Sequence, residues 1–102
     1  MTNKPAIERI DIEGRFSIHT AAELRRRLLD ALDAAEAVEV DLSRVHEIDS
    51  AGLQLMLAAR REAVARDKTL RFMNHSPAVR ETIEFCDLSG PLGGPDLGGG
   101  AP

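Results

Sequence analysis

Val38-Glu39-Val40-Asp41-Leu42-Ser43-Arg44-Val45-His46-Glu47-Ile48-Asp49-Ser50-Ala51-Gly52-Leu53 is the stretch that decides the fold. Its first five residues alternate apolar and acidic, the period of a half-buried strand. A short connection then leads to Val45 and Ile48. Asp49-Ser50 is a helix-start signal. From Ala51 to about Arg66 the apolar residues Leu53, Met56, Leu57, Ala63 and Val64 recur at helical spacing and predict an inner face. A strand that feeds a helix is the unit of an α/β domain. In such domains sites gather where strands end and helices begin, and Asp49 and Ser50 stand at that junction.

On the N-terminal side, Ile7, Ile10 and Ile12 predict a strand. Glu13-Gly14 is a turn signal, and Arg15 to Ile18 reads as the return strand of a hairpin. Thr20-Ala21-Ala22-Glu23 fits a capping box, with Thr20 as N-cap. Leu24, Leu28 and Leu32 follow as one buried stripe, with Arg25, Arg26, Asp30 and Asp33 on the wet side, and the helix ends near Ala35. On the C-terminal side, Leu70 to Met73 reads as a strand. Ser76-Pro77 places an N-cap and an N1 proline before a third helix, with Val79, Ile83 and Cys86 facing inward and an end near Leu88. The expected order is β-β-α-β-α-β-α. It makes a mixed sheet that starts with an antiparallel hairpin and continues in parallel through right-handed crossovers, with helices packed on it. Residues 1–88 are expected to form the domain. Residues 89–102, rich in glycine and proline, are expected to be a disordered tail.

Composition narrows the functions. The chain has 102 residues and a net charge of −4, without the basic footprint of a non-specific nucleic-acid binder. Its three aromatic residues are all Phe, too few for a base-stacking platform. Arg25-Arg26-Arg27 reads as the solvated face of a helix. One cysteine, Cys86, excludes an internal disulfide. No segment is long and apolar enough to span a bilayer, and no signal-peptide core follows the first residues, so a cytoplasmic setting is expected. His19, His46 and His75 are scattered and read as surface residues, so neither a metal site nor a cofactor is expected. Asp11, Asp41 and Asp49 could gather acid at strand ends, but the chain is too short for the five strand–helix repeats of a receiver domain. A hydrolytic triad would need a base and an oxyanion hole at Ser50, and no Gly-x-Ser-x-Gly elbow is present. Catalytic residues are therefore expected to be none.

At Ser50 the residues alone leave two readings. Serine is a common N-cap and needs no further purpose. Equally, free N–H groups at a helix start tolerate a phosphate, and Gly52 would let another protein's backbone come close. The run Val40 to Leu53 resembles the signature of the STAS family, which includes the anti-sigma factor antagonists. The pattern is an apolar strand, an aspartate, a leucine–serine pair, then Asp-Ser-x-Gly-Leu. The resemblance extends from Ile7 to Leu88 and takes in Asn74-His75-Ser76-Pro77. It implies a non-catalytic regulatory domain whose Ser50 is phosphorylated by a partner serine kinase that is also the anti-sigma factor, with a cognate phosphatase reversing the change. Asp41, Asp49, Ala51, Gly52 and Leu53 would form the partner surface. Two further roles fall within the same resemblance. One is an accessory subunit of a lipid-transport ABC system, with the transporter ATPase as partner. The other is a module of a chemosensory array.

Overall fold

In a computed structural model, residues 7–86 are described. The expected tail from residue 89, the first six residues and the approach to Leu88 lie outside them. The order is β1 (Ile7–Phe16), α1 (Ala21–Ala34), β2 (Ala37–Ile48), α2 (Ser50–Ala65), β3 (Thr69–Met73) and α3 (Pro77–Phe85). The three strands form one sheet in the order β1-β2-β3, and both pairings are parallel.

The expected antiparallel hairpin is therefore absent. β1 runs unbroken through Glu13-Gly14, and its even residues Ile10, Ile12 and Phe16 keep facing inward. Gly14 does adopt the positive φ that a turn would use, at 81°. Here the left-handed glycine bends a strand rather than reversing it, a second use of the same freedom. Arg15 and Phe16 then pair with Glu47 and Ile48 at the far end of β2, not with Ile7 to Ile12.

β2 is likewise one strand where a strand and a connection were expected. Opposite β1 it carries two extra residues, because Asp11 and Glu13 face Asp41 and Arg44, and Gly14 and Arg15 face Val45 and Glu47. Each extra residue is a bulge. The three-residue steps Leu42–Val45–Ile48 are the trace that these bulges leave in the sequence.

One face of the sheet is apolar: Ile10, Ile12 and Phe16 of β1, Val38, Val40, Leu42 and Val45 of β2, and Leu70 and Phe72 of β3. They form a single cluster with Leu24, Leu28 and Leu32 of α1, Leu53 and Met56 of α2, and Val79 and Ile83 of α3, which places the three helices on that face. The other face is polar. Across it Glu39 accepts from Arg9 at 3.2 Å and lies 3.7 Å from Arg71, one rung over three strands.

The helix ends show where local signals prevail. Ser76 caps α3 by accepting from the Val79 N–H at 3.2 Å, with Pro77 at the first position, as expected. The Thr20–Glu23 capping box does not form. Thr20 makes no cap hydrogen bond; its Oγ1 accepts from Ser17 N–H at 3.1 Å and donates to the Arg15 carbonyl at 2.9 Å, closing the loop after β1. At the opposite end of the helix layer, Arg66 bridges Asp33 of α1 (2.7 Å) and Glu62 of α2 (2.9 Å), and Lys68 donates to the Leu32 carbonyl in the last turn of α1.

Burial expectations at four residues need correction. Leu57 is only half-buried and Val64 is 77% exposed, because α2 turns Gly52, Leu53, Met56, Ala59 and Ala63 inward and Leu55 toward α1. Cys86 is exposed, since α3 ends one residue before it and it no longer follows the inner stripe. His75, expected at the surface, is buried in the turn before α3.

Candidate functional site

The junction of β2 and α2 is built by Asp49. Its backbone is extended (φ −118°, ψ −173°), and its Oδ1 accepts from the Gly52 N–H at 3.1 Å, so Asp49 rather than Ser50 is the N-cap. Its Oδ2 accepts from the Ile18 N–H at 3.1 Å, and its own N–H donates to the Phe16 carbonyl at 3.3 Å. One aspartate thus ties the start of α2 to the loop between β1 and α1. The Gly52 and Ile18 amides hold its carboxyl below the ordinary range by stabilising the charged form.

Gly52 is buried, and its missing side chain serves this chain itself. A Cβ there would overlap the Phe16 carbonyl oxygen and stand 3.0 Å from Ile48 Cγ1. The close backbone approach expected from a partner at Gly52 is already made by Phe16. Leu53 is 4% exposed and anchors the helix in the core. Ser50 is exposed as the first residue of α2, with Ala51 half-buried beside it. With the cap provided by Asp49, no hydrogen bond among the described residues engages the Ser50 hydroxyl. At the N-terminus of a 16-residue helix it sits where free N–H groups and the positive dipole end favour an anion.

Asp41 stands apart from this group. Asp49 follows it by eight residues, two of them bulges, which leaves about six strand steps, on the order of 20 Å at about 3.3 Å per step. It lies on the polar face, paired in register with Asp11 on one side and Met73 on the other. Its Oδ1 accepts from the Ser43 N–H (2.8 Å) and Oγ (2.6 Å), and its Oδ2 accepts from Asn74 Nδ2 (2.6 Å). Partial burial acts to raise its pKa, but the Ser43 and Asn74 hydrogen bonds outweigh that and hold it below the ordinary range. Asn74 has a positive φ of 56°, so Asp41 pins a left-handed turn between β3 and α3 and one bulge of β2. Asp11 and Asp41 are neighbours in register, but Asp49 lies at the far end of β2, so the three do not form one acidic cluster. Among the described residues no group of three or more His, Cys, Asp or Glu is placed to hold a metal, and no helix is long and apolar enough to cross a membrane.

The loop after β1 was missed as part of the site. Ile18 is 70% exposed directly beside Asp49, an apolar residue at the tip of a turn. An isoleucine just ahead of a helix start is the signal that could have marked it. Arg44 and His46 are exposed on β2, with Arg44 paired to Glu13 at 3.1 Å.

The sequence matches the family model described as Mlab, STAS domain, over residues 2–94. No curated protein matches it. Among solved structures the fold is similar to the anti-sigma factor antagonist SpoIIAA in its unphosphorylated form (26% identity, TM-score 0.70, covering 90% of this chain and 80% of that one). It is also similar to an anti-sigma factor antagonist from Mycobacterium paratuberculosis (24% identity, TM-score 0.70, 89% and 78% covered). A sulfate transporter family protein from Wolinella succinogenes shares the fold at 20% identity (TM-score 0.73, 93% and 79% covered).

Proposed function

This chain belongs to the STAS domain family, and from that we propose that it is a non-catalytic regulatory binding domain of the anti-sigma factor antagonist kind, controlled by reversible phosphorylation of Ser50. The observation that carries the reading is the division of labour at the start of α2. Asp49 caps the helix and leaves the exposed Ser50 hydroxyl free for modification. The kinase is the partner anti-sigma factor, and a phosphatase restores the unmodified state. SpoIIAA, which this fold resembles, is described in a phosphorylated form as well as an unphosphorylated one, with 26% identity in each case. Asp49, Ser50 and Ala51 face the partner with Ile18 beside them, while Gly52 and Leu53 act from beneath by fixing the helix start. Asp41 contributes at a distance, through the β3–α3 turn.

The energetics favour a switch that spares the fold. A phosphate adds about −1.5 to −2 charges. The helix terminus returns about 0.3–1 kcal/mol to it, and the neighbouring Asp49 carboxylate opposes it. Buried in an interface, the same anion costs several kcal/mol, and a loss near 4 kcal/mol weakens binding about a thousandfold. Ser50→Asp is expected to remain folded and to bind weakly. Ser50→Ala is expected to bind constitutively and, because the cap belongs to Asp49, to change stability by no more than about 0.5 kcal/mol. Affinity of the purified partner for the three forms is the test. Equal affinities overturn the switch.

The description of the family model, Mlab, favours a second reading: an accessory subunit of a lipid-transport ABC system that binds the ATPase and needs no phosphorylation. A module of a chemosensory array uses the same surface. Equal affinity for a transporter ATPase across the three forms would select the subunit role.

A further inference from the structure

A shallow groove runs between α1 and α2, beginning beside Ser50. Ala21, Ala22 and Arg25 form one wall, and Ala51, Ala58 and Arg61 stand on the other. Leu55 and Leu57 contribute apolar surface, and past Leu57 the outer face of α2 continues through Arg60, Val64 and Ala65. None of the lining residues is acidic. Glu62, in the adjoining cleft between the helices, is engaged by Arg66 at 2.9 Å.

The arginines divide in a way that marks this surface. Arg9, Arg15, Arg44, Arg66 and Arg71 are paired with carboxylates, and Arg27 and Arg80 donate to backbone carbonyls. Among the described residues, those left without a partner are Arg25, Arg26, Arg60 and Arg61, all on α1 and α2, and three of the four line the groove or its extension. Among the described residues of a chain of net charge −4, these arginines form a basic strip without hydrogen-bond or carboxylate partners, and it borders apolar surface.

We propose that this groove docks an amphipathic helix of the partner protein whose apolar stripe is flanked by acidic residues. The proposal rests on the reading of this end of the molecule as a partner surface. Small residues on both walls allow a third helix to approach at the short interaxial distances of close packing. From Ala51 to Ala65 the strip is about 21 Å long, room for about four helical turns. Leu57 and Val64, one heptad apart, meet the apolar stripe, and Arg25, Arg60 and Arg61 meet its acidic flanks. The net negative charge disfavours an anionic membrane as the occupant. Phosphate on Ser50 would stand at the head of the groove, beside Ala51, and repel an acidic helix entering there.

The test uses the full chain and two synthetic helical peptides of about four turns, with leucines at i, i+3 and i+7 and either Glu or Lys at the flanking positions. Amide chemical shifts and peptide fluorescence anisotropy are the readouts. The expected result is that the Glu peptide binds, shifts the amides of Ala21 to Arg25 and Ala51 to Ala65, and weakens as salt rises. The Lys peptide is expected to bind at least about tenfold more weakly. Arg25→Glu with Arg61→Glu is expected to reverse that preference, and Arg25→Gln with Arg61→Gln to abolish it, with circular dichroism unchanged. Equal affinity for the two peptides, shifts confined to other surfaces, no binding by either peptide, or binding only to phosphatidylglycerol vesicles would overturn the proposal. Ser50→Asp is run alongside. If it binds the Glu peptide as well as the unmodified chain does, the groove stands and phosphorylation control falls.

Discussion

Gly52 and Asp49 carry the site by different means, one steric and one electrostatic. A methyl group at Gly52 has backbone on its nearest side, the Phe16 carbonyl, and backbone cannot rotate away as a side chain can. Gly52→Ala is expected to cost about 1–3 kcal/mol or more, seen as a lower urea midpoint. A side chain that met only a partner would leave the isolated domain's midpoint unchanged. Asp49 and Asp41 both have lowered carboxyl pKa values in the folded chain. For such a group the stability is present above the unfolded value, near 4, and is lost as pH falls through the folded value. Acid should therefore destabilise the domain below about pH 4. Asp49→Asn should flatten that part of the pH profile while leaving the Asp41 part in place. Chemical denaturation at stepped pH checks both. Residue-level signals were legible where a single local contact decides the outcome, as at Ser76-Pro77. At Thr20 a competing local contact, to the Arg15 carbonyl, takes the hydroxyl that the capping box would have used.

Elements were legible in proportion to the regularity of their pattern. The α1 stripe of Leu24, Leu28 and Leu32 is plain from four-residue spacing, and all three are buried. α2 misled because it has more apolar residues than its inner face can hold. Leu57 and Val64 fit a helical period, yet the face is fixed by Gly52, which must meet Phe16, and that rotates the helix until Val64 points outward. Leu28→Ala should cost roughly 2–5 kcal/mol. Val64→Ser should stay within about 0.5 kcal/mol, with Leu57→Ala falling between them. Equal losses at Leu28 and Val64 in denaturant titrations would mean that the face is assigned wrongly. The hairpin misled because glycine at positive φ is compatible with both reversal and distortion. What separates them is the unbroken even parity of Ile10, Ile12 and Phe16, a signal spread over seven residues.

At the scale of the molecule, one apolar cluster joins all three strands and all three helices. Unfolding should accordingly be a single transition. The far-UV dichroism of the helices and the amide exchange of β2 should report the same free energy, and a second transition would mean that α3 comes away independently. The bulges of β2 give that cooperation an arithmetic. In a strand, inward and outward alternate like odd and even, and each inserted residue changes the parity of everything after it. β2 changes parity twice, so Ile48 returns to the core side opposite Phe16, and Asp49 leaves the strand aimed at Ile18. Removing His46, which no β1 residue faces, would leave Gly14–Val45, Arg15–Glu47 and Phe16–Ile48 as consecutive pairs, so Ile48 would stay inward and a cooperative melt is expected to survive. Removing Glu39 from the regular part of the strand would instead set Val38 and Val40 side by side and turn one of them outward, with loss of cooperative melting expected. The direction in which the serine faces is thus a matter of counting, settled upstream in the strand that leads to it.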